Sequence, residues 1–122
     1  MPKIFIDATV VRSCAGRITP QLENLMFLDH VLQISDVMIM HHTDCSAEIW
    51  KNDDVRRDLN QRAPEHNEKI EQLKLPGFDD LLQSVREDVQ IVRDSPFIRK
   101  ELADRTRGFV YDIKSGVVTP VE

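Results

Sequence analysis

Two short apolar runs constrain the fold more than any other feature of this chain. Residues 4–11, IFIDATVV, are β-branched or apolar almost throughout, and residues 37–41, VMIMH, form a second such run. Runs of this kind suit strands buried on both faces, as in parallel sheets. A helical pattern lies between them. Thr19 offers an N-cap and Pro20 a first helical position, while Leu22, Leu25, Met26, Leu28, Val31 and Leu32 supply a wide apolar face ending near Ile34. Strand, helix, strand in this order predicts a right-handed βαβ unit with parallel neighbours. The expected fold class is α/β, a mostly parallel sheet flanked by helices.

The rest of the chain adds helices and a closing strand. Residues 46–75 are polar and helix-rich, with Asn52 as a candidate cap for DDVRRDLNQR, an interruption at Pro64, and EHNEKIEQLKL before the break at Pro76-Gly77. Over 78–94, Phe78, Leu81, Leu82, Val85, Val89 and Val92 recur at helical spacing, and Asp79 and Asp80 suit the positive end of a helix dipole. Ser95-Pro96 stops that helix, and a turn around 97–102 leads to RGFVYDI, which has strand character. Residues 117–121, VVTPV, predict a return strand, placed at a sheet edge by Pro120. At 122 residues the chain suits one domain, 1–122, with a single core.

Charge and hydropathy narrow the function classes. With 16 basic and 21 acidic side chains intermixed, net charge −5, there is no basic stripe to gather phosphates, so no nucleic-acid partner is expected. No apolar run approaches the length of a membrane span, and the first residues lack the pattern of a secretory signal. A cytoplasmic location is the expectation, where two cysteines are more often thiols or ligands than a disulfide.

His42-Thr43-Asp44-Cys45 places an imidazole and a thiol three residues apart where a strand gives way to a helix. That donor pair suits zinc, which takes four tetrahedral ligands, or three and an open position at a catalytic centre. Two ligands fall short of a site. In open α/β sheets, ligands bind beyond the carboxyl ends of the strands, which makes Cys14, three residues past the first apolar run, a candidate third donor. The competing reading is a surface imidazole beside a buried thiol. His41 is one residue back on the strand and so is expected on the opposite face, in packing or in support of the ligands. His30 and His66 have no partner nearby in sequence. Trp50 and Phe27 are candidates for a pocket lining or, more commonly, for core.

IMHHTDCSAEIWKNDDVR, residues 39–56, resembles the zinc-binding segment of β-class carbonic anhydrases, where an apolar strand leads into His-Thr-x-Cys-Gly. DATVVRSCAGRITP is similar to the family's DAxVIRNAGGRVTP segment, and residues 84–121 resemble its C-terminal helix and closing strand. The resemblance implies a parallel-sheet α/β fold, a homodimer or higher oligomer, a zinc cofactor, and reversible hydration of carbon dioxide to bicarbonate by zinc-bound hydroxide. On that resemblance His42 and Cys45 match two of the family's three protein ligands.

The departures are as specific as the match. The family's first ligand is the cysteine of a Cys-x-Asp-x-Arg motif ahead of DAxVIRNAGG, and no such motif occurs in the sequence, so a relative truncated at the N-terminus is expected. Its aspartate and arginine, which orient the zinc-bound water, go with it. Ser13-Cys14 stands for the family's Asn-Ala and Ser46 for its glycine, which motivates a compensating set of His42, Cys45 and Cys14. Asp44 is the only carboxylate inside the motif and the candidate catalytic group; Arg12 and Arg17 are candidates for holding a bicarbonate-like anion, or simply for surface ion pairs. The expected function is that of a carbonic-anhydrase-like zinc lyase. The alternatives are a lyase or hydrolase repurposed for another small substrate, and a non-catalytic dimerising module.

Overall fold

The computed structural model describes residues 8–122. Its centre is a three-stranded sheet, β1 (Val37–His42), β2 (Thr106–Tyr111) and β3 (Val118–Val121), in the order β1-β2-β3. β1 and β2 run parallel, with Val37 opposite Thr106 and His42 opposite Tyr111, and β3 returns antiparallel with Pro120 opposite Phe109. The sheet is therefore mixed. Pro120 lies on the edge strand, where its missing N–H costs no ladder bond.

Only the second half of the first expected strand, 4–11, falls within the described residues. Residues 4–7 lie outside the described residues, and residues 8–11 form no strand; Val10 is 76% exposed. The parallel neighbour of β1 is β2, from the far end of the chain. Residues 12–17 instead fold into a loop whose turn, Cys14–Gly16, presses on β1. A Cβ on Gly16 would sit 2.6 Å from the Met40 carbonyl oxygen and 2.8 Å from His41 Cδ2, and its φ of +69° is itself unfavourable for an L-residue.

The helices follow the apolar periodicity, with shifted ends. A single 3-10 turn, Thr19–Gln21, precedes α1 (Leu22–Leu32), which ends at Gln33 in the left-handed region, φ 52°. Leu22, Leu25 and Met26 pack on the core, whereas Phe27, Val31 and Leu32 remain exposed. After β1 come α2 (Ser46–Ile49), α3 (Asn52–Arg62) and α4 (Asn67–Glu71). Asn52 does not cap α3. Its amide lies just inside the helix and clasps the 75–77 loop, accepting the Gly77 N–H at 2.8 Å and donating to the Leu75 carbonyl. α5 (Leu81–Asp94) starts later than its apolar pattern, because the Asp80 carboxylate caps it by accepting the Gln83 N–H at 3.0 Å. The expected turn near 97–102 contains α6 (Lys100–Asp104).

α5 runs along β2 and β1 and fills one face of the sheet. Gly108 makes this approach possible: a Cβ there would collide with Val85 and lie 3.0 Å from Val89. Ile39, opposite Gly108, joins Val85, Val89, Val92, Ile98, Leu102 and Ala103 in the core. Burying each large side chain contributes about 1.5–3 kcal/mol. Strand alternation turns Met38 to the other face, 59% exposed against 4% for Ile39. Among the described residues no helix is long and apolar enough to cross a membrane.

Candidate functional site

The HHTDC segment straddles the end of β1. His41, expected on the face opposite His42, turns inward and is 2% exposed, while His42 turns out into solvent. The chain leaves the strand through Asp44, φ 55°, a left-handed position that aspartate tolerates better than most residues. Thr43 fixes this exit: its N–H donates to the Tyr111 carbonyl at 3.0 Å, and its hydroxyl oxygen accepts the Ile113 N–H at 3.1 Å. Cys45, buried, then stands at the N-cap of α2.

The tautomer of His42 follows from its one hydrogen bond. Nδ1 lies 2.7 Å from the Thr43 carbonyl oxygen, which can only accept, so Nδ1 carries the proton. In the neutral ring the Nε2 lone pair is left for a ligand, and a metal-bound histidine commonly has its other nitrogen held by a carbonyl in this way. Asp44 is exposed, with Lys114 Nζ 3.9 Å from its carboxylate. Arg12 is exposed, and its carbonyl accepts from the Gln21 amide at 3.4 Å. Cys14 is exposed in its own turn.

The imidazole and thiol match zinc in kind. Among the described residues, however, no three His, Cys, Asp or Glu side chains come together as a metal-binding group, so Cys14 does not join His42 and Cys45 as the compensating set requires. A zinc site with catalytic capacity takes three protein ligands. The described residues form no such group, and by themselves do not fit one.

Behind β1 lies a buried polar cluster that the sequence reading passed over. Asp88, fully buried on α5, accepts the His41 Nε2 proton at 3.0 Å and the Ile18 N–H at 3.1 Å on Oδ2. Its Oδ1 faces Arg17 Nε at 3.2 Å, an ion pair out of hydrogen-bond alignment, and has no other partner. Arg17 also reaches Glu87 at 3.3 Å. The guanidinium considered for an anion is thus engaged by two carboxylates.

The serine, histidine and aspartate of this cluster do not form a nucleophilic triad. Ser84 is buried, and its Oγ donates to the Leu81 carbonyl at 2.6 Å, its shorter contact, with His41 Nδ1 at 2.9 Å. An activated nucleophile needs its proton free for the imidazole and its oxygen open to substrate, whereas this hydroxyl is held by a backbone carbonyl and is 1% exposed. The cluster is a clamp instead: one carboxylate joins the end of β1 to the loop that bears Cys14 and Arg17. Its signal in the sequence is Ser84 and Asp88, two polar residues within the buried stripe of α5. A cavity of about 440 Å³ opens beside it, lined in part by Arg17, Asn52, Phe78, Gln83, Ser84 and Glu87; neither His42 nor Cys45 lines it.

No family model matches the chain. Among curated proteins it is similar to β-carbonic anhydrase 1 of Mycobacterium tuberculosis, 26% identical over 117 residues covering 94% of this chain and 68% of the relative. Among solved structures it is similar to a carbonic anhydrase from Streptococcus mutans, with TM-score 0.81 and 29% identity over 97% of this chain and 69% of the other. A carbonic anhydrase from Glaciozyma antarctica gives TM-score 0.78 and 26% identity over 92% and 66%. The chain spans about two thirds of the length of these relatives. Sequence, fold and the HHTDC segment agree in what the chain is similar to: it is like the β-carbonic anhydrases along nearly its whole length.

Proposed function

We propose that this chain is a carbonic-anhydrase-like metalloprotein whose His42 and Cys45 are metal donors, zinc first, and whose substrate class is carbon dioxide and bicarbonate. The observation that carries the reading is His42 at the end of β1, its Nδ1 proton committed to Thr43 and its Nε2 left for a ligand, three residues ahead of Cys45. Asp44 remains the candidate proton carrier and Arg12 the candidate anion contact. Arg17 serves first to hold its loop, through Asp88 and Glu87. The protein works in the cytoplasm as a homodimer or higher oligomer.

A second reading, a non-catalytic dimerising module, draws on the sheet face that bears Met38 and on the exposed Phe27, Val31 and Leu32 of α1. Parallel strands are ordinarily covered on both faces. One set of measurements separates the two: metal content of the purified chain, stopped-flow carbon dioxide hydration with and without added zinc, and light scattering. Zinc bound and hydration lost in His42→Ala support the enzyme. An oligomer without metal or activity under any loading supports the module, and a monomer contradicts the oligomer in either reading.

A further inference from the structure

We infer that Thr43 and Asp112 are positioning residues for His42: the turn that joins β2 to β3 fixes which nitrogen of that ring carries the proton. The inference deepens the reading above, in which His42 offers Nε2 to a ligand, and it places no ion on the ring. His42 is exposed, and its ring has one hydrogen bond, from Nδ1 to the Thr43 carbonyl at 2.7 Å. Water competes for both nitrogens of an exposed imidazole. A single carbonyl decides the tautomer only if it is itself held beside the ring.

Three bonds tie Thr43 to β2 and the turn after it. Its N–H donates to the Tyr111 carbonyl at 3.0 Å, its hydroxyl oxygen accepts the Ile113 N–H at 3.1 Å, and the hydroxyl donates to Asp112 Oδ1 at 3.4 Å. Asp112 is pinned in its turn. Its carboxylate accepts the Lys114 N–H at 3.0 Å and the Ser115 hydroxyl at 2.9 Å. Its own N–H donates to the Val117 carbonyl at 2.9 Å, and its carbonyl accepts the Gly116 N–H at 2.8 Å. Residue 43 therefore cannot swing without breaking bonds to a closed turn, and the carbonyl it presents to His42 stays in place. Asp112 and Ile113 follow Thr43 by 69 and 70 positions, so HHTDC by itself does not determine the tautomer of its second histidine.

The full chain, labelled with nitrogen-15 histidine, is measured without metal in alkaline buffer, where the imidazole is neutral, by long-range proton–nitrogen correlation. His42→Ala identifies the His42 signals among the four histidines. In wild type Nδ1 is expected at the protonated position and Nε2 at the unprotonated one. A neutral imidazole free of constraint favours the proton on Nε2. Thr43→Val keeps the side-chain shape without the hydroxyl and should shift the two signals toward the opposite assignment. Asp112→Ala should do the same, whereas Thr43→Ser restores the hydroxyl and should match wild type. Backbone amide spectra report whether each variant is folded, and Thr43→Val carries the test if Asp112→Ala unfolds.

A proton kept on Nδ1 in folded Thr43→Val or folded Asp112→Ala, or a shift in Thr43→Ser equal to that in Thr43→Val, would overturn the positioning while leaving His42 its free Nε2. A proton on Nε2 in wild type would overturn both the positioning and the tautomer on which the reading above rests. Nδ1 protonated as expected in a chain that binds no metal under any loading would overturn that reading alone.

Discussion

The Asp88 carboxylate accepts the Nε2 proton of His41 at 3.0 Å with both side chains shut away from solvent. His41 precedes the candidate donor His42, and the same carboxylate holds Arg17 and the Ile18 N–H. Removing one member of a buried charged pair leaves the others unpaired in a medium that solvates them poorly. Asp88→Ala is therefore expected to lower stability by about 3–5 kcal/mol. Urea denaturation followed by circular dichroism measures it, and a loss below 1 kcal/mol would remove the clamp from this account.

The two candidate donors should differ sharply in structural importance. His42 is exposed and its ring bonds only to the carbonyl of the next residue, so His42→Ala should leave stability within about 0.5 kcal/mol. A thermal melt of the metal-free variant that falls clearly below wild type would show that the ring has a packing role this structure does not give it.

Gly16→Ala places a methyl group against the Met40 carbonyl oxygen, which is backbone and cannot swing aside. Left-handed backbone alone costs an L-residue roughly 1–2 kcal/mol, and the clash adds to it. Gly116 provides the control, because it has a similar φ of 76° and open space around its Cβ direction. Gly16→Ala should destabilise the protein more than Gly116→Ala; equal losses in paired denaturation curves would contradict the close approach of loop and strand.

Leu102 of α6 is almost wholly buried against the core. Leu102→Ala should cost about 2–5 kcal/mol, the transfer free energy plus the cavity left behind. An unchanged denaturation midpoint would mean that α6 does not pack as described.

Acid stability follows from Asp29 and Arg99. The Arg99 guanidinium meets the Asp29 carboxylate with two bonds, 2.7 and 2.8 Å, and holds that carboxyl below its ordinary value of 3.8. Because the folded value is depressed, the stabilisation is fully present above the unfolded value and is lost as pH falls through the folded one. Asp36, beside Arg105, and Asp112, which accepts the Lys114 N–H, are lowered in the same direction. Stability should therefore hold above about pH 5 and decline below pH 4, with a shallower decline in Asp29→Asn. Denaturant midpoints across that range decide it, and identical slopes for variant and wild type would discount the pair.

Sequence pattern identified the local elements. The apolar stripe located α5, the apolar run VMIMH and the strand character of RGFVYDI located β1 and β2, Pro120 marked the edge strand, and HHTDC with its flanks pointed to a resemblance to the β-carbonic anhydrases. These depend on contacts within a few residues, which periodicity and turn chemistry encode directly.

What pairs with β1 was not legible there. Among the described residues β1 pairs with β2, from the far end of the chain, and residues 8–11 of IFIDATVV form no strand; residues 4–7 lie outside the described residues. The triple engagement of Asp88 was equally hidden, since its partners His41, Ile18 and Arg17 lie far from it in sequence. Composition states which side chains are available. Only the packing of α5 across the sheet decides which distant groups share one buried carboxylate, because that depends on where the whole chain excludes water. For the same reason the sequence could nominate His42, Cys45 and Cys14 together, while among the described residues no three such side chains come together as a metal-binding group.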